Sequence, residues 1–237
     1  KLIMQQNLQN QKGLVQSVFD QVYDKYDLMN DFMSLGIHRL WKKDLIMMMS
    51  PYANKKLIDV GCGTGDIGKL FLNTVKFKGS VYNVDPNKKM LDQGKKRFKN
   101  LDNISWHIGN AENLKFKSNL FDYYTISFGL RNTKDISKSL KEAHRVLKPG
   151  GRFLCLEFSK ISNSNLNFLY KNYSKIIPKV GKFIVGKSEP YEYLIKSIDK
   201  FINQNQLVEL MNKNGFENCK YRDLSGGIVS IHSGWKV

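Results

Sequence analysis

A glycine-rich loop follows the first buried strand that the sequence predicts. The loop lies within Asp59-Val60-Gly61-Cys62-Gly63-Thr64-Gly65-Asp66. Its three glycines let the backbone turn sharply and approach a ligand, and the helix predicted to start at the end of the loop adds N–H groups that lack backbone partners. A strand, a glycine loop and a helix in this order favour the binding of a nucleotide or a related cofactor.

The spacing of the glycines distinguishes between two cofactor classes. The pattern is GxGxG, whereas the dinucleotide fingerprint GxGxxG would require glycine at position 66, where Asp66 stands. An acidic side chain beside a helix N-terminus would repel a pyrophosphate, and Asp59 and Asp66 would better suit a cationic or zwitterionic ligand. S-adenosylmethionine, with its sulfonium and its zwitterionic methionine end, fits this pattern, while an NAD-type cofactor would need a different loop.

Polar residues after the next two predicted strands extend the candidate cofactor site. Asp85 ends the second strand, 24 residues beyond Gly61, where a carboxylate can accept hydrogen bonds from ribose hydroxyls. The alternative is that Asp85 caps the helix after Pro86. Asn110 and Ala111 end the third strand, where they could meet the edge of an adenine or form an ordinary turn.

Alternating strands and helices must position these residues. The hydrophobic pattern predicts strands over 56–60, 80–84, 104–108, 123–127 and 152–158, and helices over 67–74, 88–98 and 134–147, the last stopped by the breaker at 148–151. Two further strands, 217–224 and 228–232, flank Ser225-Gly226-Gly227 as a hairpin. We therefore predict a Rossmann-like α/β sheet, mostly parallel, with helices on both faces and an antiparallel hairpin at one edge.

The composition is strongly basic, with 38 Lys and Arg against 21 Asp and Glu, a net charge of +17. This charge favours nucleic acid or an anionic membrane surface, or it reflects lysine-rich composition without a partner. No apolar run is long enough to predict a transmembrane helix. The three cysteines have no CxxC spacing, so we expect no disulfide framework and no metal site, in keeping with a reducing compartment.

Several segments resemble the ubiquinone/menaquinone biosynthesis C-methyltransferases, a family of class I S-adenosylmethionine-dependent methyltransferases. The most specific are Lys25-Tyr26-Asp27-Leu28-Met29-Asn30-Asp31 and Ile126-Ser127-Phe128-Gly129-Leu130-Arg131-Asn132; the others are 36–42, 145–151, 156–160 and 226–229. The resemblance covers nearly the whole chain. It implies a seven-stranded sheet with one antiparallel strand, and methylation of a ring carbon of a polyprenylated benzoquinol or naphthoquinol.

The predicted cofactor contacts come from two sources, the glycine loop itself and the pattern of the family. The loop contributes Asp59, Gly61, Gly63 and Gly65. By the family pattern the remaining contacts are Thr64, Asp85, Asn110, Ala111 and Ser127.

Methylation of a ring carbon requires an electron-rich ring, which deprotonation of a phenol with a pKa of about 10 supplies. Arg131 follows the fourth strand, where its guanidinium would favour the anionic quinol; the alternative is a surface salt bridge with a residue such as Asp135. Asn132 could orient Arg131 or bind a ring oxygen. His38 is a candidate base or proton relay, although a lone histidine is more often structural.

We expect residues 1–50 to form an N-terminal helical extension or lid, with Tyr26 and Asp27 over the cofactor or in core packing. Residues 51–237 form the methyltransferase domain, with a helical insertion at 159–213. Residues 158–188 contain six lysines and no acidic residue, with apolar residues at helical spacing. This pattern predicts peripheral contact with an anionic membrane; a lid, a dimer face or a solvated helix are the alternatives.

The expected location is a bacterial cytoplasm or a mitochondrial matrix, at the inner membrane. A homodimer or a quinone-biosynthesis complex is expected at the family level. An RNA or other small-molecule methyltransferase is the strongest alternative function, because the charge favours phosphate. The fourth strand, however, lacks the Pro-Pro-aromatic segment of amine methylases, and no separate RNA-binding module is evident, so we expect no nucleic-acid partner. A third alternative is a non-catalytic cofactor-binding or scaffold protein.

Overall fold

The computed structural model of the chain describes residues 34, 36–161, 164, 168, 170 and 189–237. The chain divides into two compact units, residues 1–38 with 162–200, and residues 39–161 with 201–237. The predicted N-terminal helical segment, including Tyr26 and Asp27, lies outside the described residues. So does most of the basic segment 158–188. The proposed domain boundaries, including the lid, stay a prediction.

The second unit contains a seven-stranded sheet. Its strands are β1 Lys55–Val60, β2 Gly79–Asp85, β3 Ile104–Ile108, β4 Phe121–Ser127, β5 Leu147–Phe158, β6 Glu217–Leu224 and β7 Val229–Trp235. Their order is β3-β2-β1-β4-β5-β7-β6, and β7 runs antiparallel to both of its neighbours. This arrangement confirms the predicted mostly parallel sheet with an antiparallel hairpin at its edge.

The helices are α1 His38–Met49, α2 Asp66–Thr74, α3 Lys88–Arg97, α4 Ile136–Val146, α5 Glu189–Lys200 and α6 Gln204–Lys213, with short 3-10 turns at Leu130–Asn132 and Ser225–Gly227. Three of them, α2, α3 and α4, connect strands and lie within a few residues of the helices that the periodicity predicts. Polar side chains satisfy the free N–H groups at several helix starts. Asn87 caps α3 through the N–H groups of Lys89 and Met90.

The central strands β1 and β4 are buried on both faces over most of their length, as expected for strands of a parallel sheet covered by helices. Successive side chains of a strand point to opposite faces. Ile58 accordingly packs in one cluster with Leu140 of α4 and Leu207 of α6. Leu57 packs in the other, with Leu45 of α1 and Phe71 of α2. The sheet is therefore a rigid support for the loops at its carboxyl edge.

The fifth strand begins earlier than predicted. The helix α4 ends at Val146, and β5 starts directly at Leu147, through the segment predicted only as a breaker. The reason is tertiary: the N–H of Gly150 donates to the carbonyl of Lys236 at 2.7 Å, and the N–H of Lys236 donates to that of Gly151 at 3.0 Å. Lys236 thus supplies the backbone partners that keep this segment in the sheet, although Gly150 has a left-handed backbone with φ of 75° and the pairing of β4 with β5 shifts register here.

Candidate active site

The glycine loop lies over the end of β2. Gly61 and Cys62 donate their N–H groups to the carbonyl of Val84, at 2.8 and 3.1 Å. Gly61, Gly63 and Gly65 all have left-handed backbones, with φ of 67°, 56° and 89°. A residue with a Cβ adopts this conformation at a cost, so the conformation itself favours glycine at these positions.

Close approach adds a second reason for glycine in the loop. A Cβ built on Gly65 would lie 2.6 Å from the indole of Trp106, so crowding excludes a side chain at that position. A Cβ built on Gly61 would lie at an ordinary contact distance, 3.8 Å, from the Cα of Gly129. The loops after β1 and β4 therefore meet at Gly61 and Gly129. In the strand order observed, β1 and β4 are neighbours whose connections leave in opposite directions, which is where open α/β sheets bind ligands.

Asp85 ties the glycine loop to the start of α3. Its Oδ2 accepts the N–H of Gly63 at 2.9 Å, and its Oδ1 accepts the N–H of Asn87 at 2.8 Å. Burial raises the pKa of this carboxyl to about 6, against the lowering effect of the two N–H donors. The alternative that Asp85 caps the helix is wrong, because Asn87 is the cap. The contact with ribose hydroxyls stays a prediction.

Asp59 lies beneath the loop and is fully buried. Its Oδ1 accepts the hydroxyl of Thr125 at 2.8 Å. Burial raises the pKa of Asp59 to about 7, and the bond from Thr125 opposes this rise. Among the residues that the structure describes, no donor reaches its Oδ2. A buried polar atom of this kind is rare in folded proteins and is typical of a functional site.

The carboxylate of Asp66 forms ion pairs with two side chains of the protein. Lys42 Nζ lies 2.8 Å from Oδ2, and Arg97 Nη1 lies 2.8 Å from Oδ1. Although burial acts in the other direction, the two cations hold the pKa of Asp66 below its usual range. The expectation that Asp66 suits a cationic ligand is therefore wrong, because two side-chain cations already neutralise it. Arg97 also donates to the hydroxyl of Thr64 at 3.3 Å, so Thr64 joins this network.

The predicted adenine-side residues lie at the ends of β3 and β4. The Oδ1 of Asn110 accepts the N–H of Glu112 at 3.1 Å, which is the turn foreseen as its alternative. Ala111 is buried in the core. Ser127 is the last residue of β4, and its hydroxyl is buried without a hydrogen-bond partner in the described part of the chain. The contacts of Asn110 and Ala111 with an adenine, and of Ser127 with the cofactor, stay predictions.

Arg131 forms a buried ion pair with Glu157. Arg131 Nη1 lies 2.7 Å from Glu157 Oε1, and the side chains are only 5% and 1% exposed. The same Nη1 donates to the carbonyl of Phe128, and the guanidinium lies 5.4 Å from the centre of the Phe158 ring. The alternative of a surface salt bridge with a residue such as Asp135 is wrong, because the partner of Arg131 is the buried Glu157 and the side chain of Asp135 caps α4.

Sequence reasoning did not single out Glu157, although it lies in one of the segments that support the family resemblance. The available signal was an acidic residue among the apolar residues of a central strand, since a buried carboxylate requires a partner. Asn132, the other predicted residue of this loop, directs its Nδ2 towards the carbonyl of Phe128 at 3.5 Å. Its contact with Arg131 or a ring oxygen stays a prediction.

Three aromatic residues at the same edge were also missed. Phe128 directly follows β4, and Phe158 is the last residue of β5. Their ring centres lie 5.1 Å apart. The ring centre of Trp41, on α1, lies 6.2 Å from that of Phe128 and 6.5 Å from that of Phe158. Its indole N–H donates to the hydroxyl of Ser225 at 2.9 Å. This aromatic cluster, Trp41 with Phe128 and Phe158, forms an apolar surface beside the Arg131–Glu157 pair.

His38 starts α1 and belongs to the first unit. It is buried, and its backbone N–H donates to the hydroxyl of Ser34 at 3.2 Å. Its role as a base or relay stays a prediction. The described residues contain no group of His, Cys, Asp and Glu side chains that could hold a metal ion.

Known proteins are similar to this chain in fold and in sequence. Solved structures with the same fold include an S-adenosylmethionine-dependent methyltransferase from Thermotoga maritima, with a TM-score of 0.67 and 22% identity over 94% of this chain and 99% of that one. A phosphoethanolamine N-methyltransferase from Haemonchus contortus, in complex with S-adenosyl-L-methionine, has a TM-score of 0.62 and 16% identity, over 82% of this chain and 52% of that one.

The sequence relatives are much closer. A protein from Rickettsia bellii named ubiquinone/menaquinone biosynthesis C-methyltransferase UbiE is 49% identical over 95% of this chain and 94% of its own length. A protein of the same name from Rickettsia prowazekii is 48% identical over 94% and 93%. The model of the ubiE/COQ5 methyltransferase family matches residues 5–236. The chain therefore belongs to the ubiE/COQ5 methyltransferase family.

Proposed function

We propose that this chain methylates a ring carbon of a polyprenylated benzoquinol or naphthoquinol in ubiquinone or menaquinone biosynthesis, with S-adenosylmethionine as the methyl donor. One observation carries the proposal: relatives with this activity in their name share about half of their residues with the chain over nearly its whole length. The buried ion pair and the aromatic cluster at the carboxyl edge of the sheet support it, since they suit an aromatic acceptor that becomes anionic.

The residues of the loop fit the cofactor. Three left-handed glycines bring the backbone close to a ligand, and buried Asp59 Oδ2 and Ser127 Oγ lack partners among the described residues. The residues that would hold the cofactor are Asp59, Gly61, Gly63, Thr64, Gly65, Asp85, Asn110, Ala111 and Ser127. When bound, S-adenosylmethionine supplies an electrophilic methyl group.

Arg131 prepares the acceptor. A ring hydroxyl with a pKa of about 10 is mostly protonated near neutral pH, so a fixed cation beside it favours the anionic, nucleophilic form. The guanidinium is oriented before the acceptor binds, because Glu157 and the carbonyl of Phe128 hold it. Asn132, from the same turn, binds a ring oxygen or orients Arg131. His38 acts as the base or relay that receives the proton.

The aromatic cluster forms the wall against which the acceptor ring packs. Trp41, Phe128 and Phe158 offer apolar faces with ring centres 5.1 to 6.5 Å apart. Such a wall excludes water and aligns the ring, and alignment of reactants is worth about 7–11 kcal/mol in favourable cases. The cluster therefore contributes orientation, while Arg131 contributes charge.

Access to a polyprenylated substrate calls for membrane contact. None of the helices formed by described residues has the length and apolar character needed to cross a membrane. Peripheral contact through the basic segment 158–188, at the inner membrane of a bacterium or mitochondrion, is the form we propose. Vesicle flotation tests it: binding to anionic vesicles at low salt, with none to neutral vesicles, supports the contact, and no binding to either contradicts it. A homodimer, or a complex with other quinone-biosynthesis proteins, is tested by sedimentation.

Mass spectrometry of quinones tests the reaction itself. A strain that lacks its own quinone C-methyltransferase should accumulate a demethyl precursor, and expression of this chain should convert the precursor to the methylated quinone. The Asp85→Ala variant, expressed at the same level, serves as the control for cofactor-dependent activity. Persistence of the demethyl species with the wild-type chain, in both a ubiquinone and a menaquinone background, would contradict the proposal.

A further inference from the structure

We infer that Glu157 is a positioning residue, which holds Arg131 and the turn after β4 in the arrangement that activates the acceptor ring. The inference rests on the proposed function, since it concerns the same site. Glu157 Oε1 accepts Arg131 Nη1 at 2.7 Å, and Oε2 accepts the backbone N–H of Arg131 at 3.3 Å. One carboxylate thus fixes both the side chain and the backbone of the same residue.

The carboxylate also joins two neighbouring loops. Its Oε1 accepts the N–H of Phe158, at the end of β5, at 2.9 Å. Arg131 belongs to the turn after β4. A charged pair this deeply buried is stable only when its hydrogen bonds are satisfied, and Glu157 has three of them. The geometry of the acceptor side therefore depends on Glu157, although the residue lies in a core strand.

Backbone strain at Phe128 points to the same dependence. Phe128 has a left-handed backbone, with φ of 55°, which is uncommon for a bulky residue. Its N–H donates to the carbonyl of Leu156 at 2.7 Å, and its carbonyl accepts Arg131 Nη1. Strain of this kind persists only where surrounding contacts enforce it. Arg131, fixed by Glu157, is one of the contacts that hold Phe128 in this conformation.

The charge of Glu157 has a consequence that a purely structural role would lack. A carboxylate beside the guanidinium reduces the positive field at the acceptor. Burial raises the pKa of Glu157, and Arg131 opposes that rise. Cys155, two residues before Glu157 on β5, is also buried, and burial raises the pKa of its thiol. Removal of the carboxylate charge should therefore increase the field and lower the pKa of the bound phenol.

The test is the kinetics of Glu157→Gln with a demethyl quinol, across about pH 6 to 10, which spans the titration of a phenol. In this variant Oε1 still accepts the guanidinium, whereas the bond from the backbone N–H of Arg131 to Oε2 is lost. We expect this looser turn to lower kcat about 10²-fold, while the calorimetric affinity for S-adenosylmethionine stays within about twofold of the wild type. We also expect the acidic limb of the kcat profile to move to lower pH. An unmoved limb, or one that moves to higher pH, overturns the inference.

Two further variants keep the test decisive. Glu157→Asp retains the charge but shortens the side chain, which draws Arg131 away from the ring, so kcat should fall and the acidic limb should move to higher pH. Wild-type kcat would overturn the inference even if the Gln variant fails to fold. Asp122→Asn is the control, since Asp122 lies at the opposite end of β4, where it binds Lys55 and Lys148. If the wild-type protein methylates no quinol, the proposed function fails, an outcome distinct from failure of the role of Glu157.

Discussion

The carboxylate of Asp85 accepts the backbone N–H of Gly63, with 2.9 Å between Oδ2 and the nitrogen. The residue that ends β2 therefore holds the middle glycine of the loop that follows β1. Its other oxygen accepts the N–H of Asn87. One buried side chain thus sets the positions of two loops at the carboxyl edge of the sheet.

Replacement of Asp85 by Ala should weaken S-adenosylmethionine binding by about 1–3 kcal/mol, because the variant leaves the N–H of Gly63 without its acceptor and removes the proposed ribose contact. Isothermal titration calorimetry measures the effect. Asp92→Ala is the matched control, as Asp92 is a carboxylate on α3 that pairs with Lys88. An affinity unchanged in Asp85→Ala would contradict the assigned role.

Asp59 should make the protein less stable as pH rises. Its pKa in the folded state is about 7, against about 4 in an unfolded chain, so the folded state retains the proton over this interval. Its stabilising effect is complete below about pH 4 and is lost as pH rises towards 7, on the order of 4 kcal/mol. Asp59→Asn should therefore gain stability relative to the wild type as pH rises through this interval.

Urea denaturation of both proteins at the two ends of this interval measures the difference. The comparison with the variant is needed because other carboxylates, such as Asp122, have a lowered pKa and act in the opposite direction. A free-energy difference between variant and wild type that does not change with pH would show that Asp59 titrates normally.

Replacement of Arg131 by Lys should lower kcat by about 10²–10³-fold, because the ammonium keeps the charge but lacks the planar fork that Glu157 and Phe128 hold. The affinity for S-adenosylmethionine should change little. Arg131→Ala should in addition lower the free energy of unfolding by about 3–5 kcal/mol, since Glu157 then remains buried without its cation. Near wild-type turnover in Arg131→Lys, or a loss confined to cofactor binding, would refute this assignment.

Gly65→Ala and Gly150→Ala separate backbone strain from crowding. Both glycines have left-handed backbones, with φ of 89° and 75°, but a Cβ at Gly65 would clash with Trp106, whereas one at Gly150 meets nothing within 4 Å. We expect Gly150→Ala to cost about 1–2 kcal/mol of unfolding free energy. Gly65→Ala should lower the unfolding free energy by more than Gly150→Ala does, and it should also weaken cofactor binding. Equal losses of stability in the two variants, measured by thermal and urea denaturation, would contradict the clash.

Sequence alone determined the strands and helices of the sheet and the place of the glycine loop. Periodicity placed the strands and helices, because alternation and the helical repeat depend on neighbouring residues only. Three glycines after a buried strand predicted the loop, since their conformational freedom is a property of the residue. The position of Asp85 at the end of β2 and of Arg131 after β4 followed from the parallel order of the strands.

Only the tertiary structure decided which charges pair. Asp66 is neutralised by Lys42 and Arg97, which lie 24 and 31 residues away in the chain. Arg131 meets Glu157 across 26 residues, because β4 and β5 are neighbours in register. Trp106, on β3, leaves no room for a side chain at Gly65, in the loop after β1. These relationships depend on sheet order and register, which bring distant residues within a few ångströms and which no local pattern specifies.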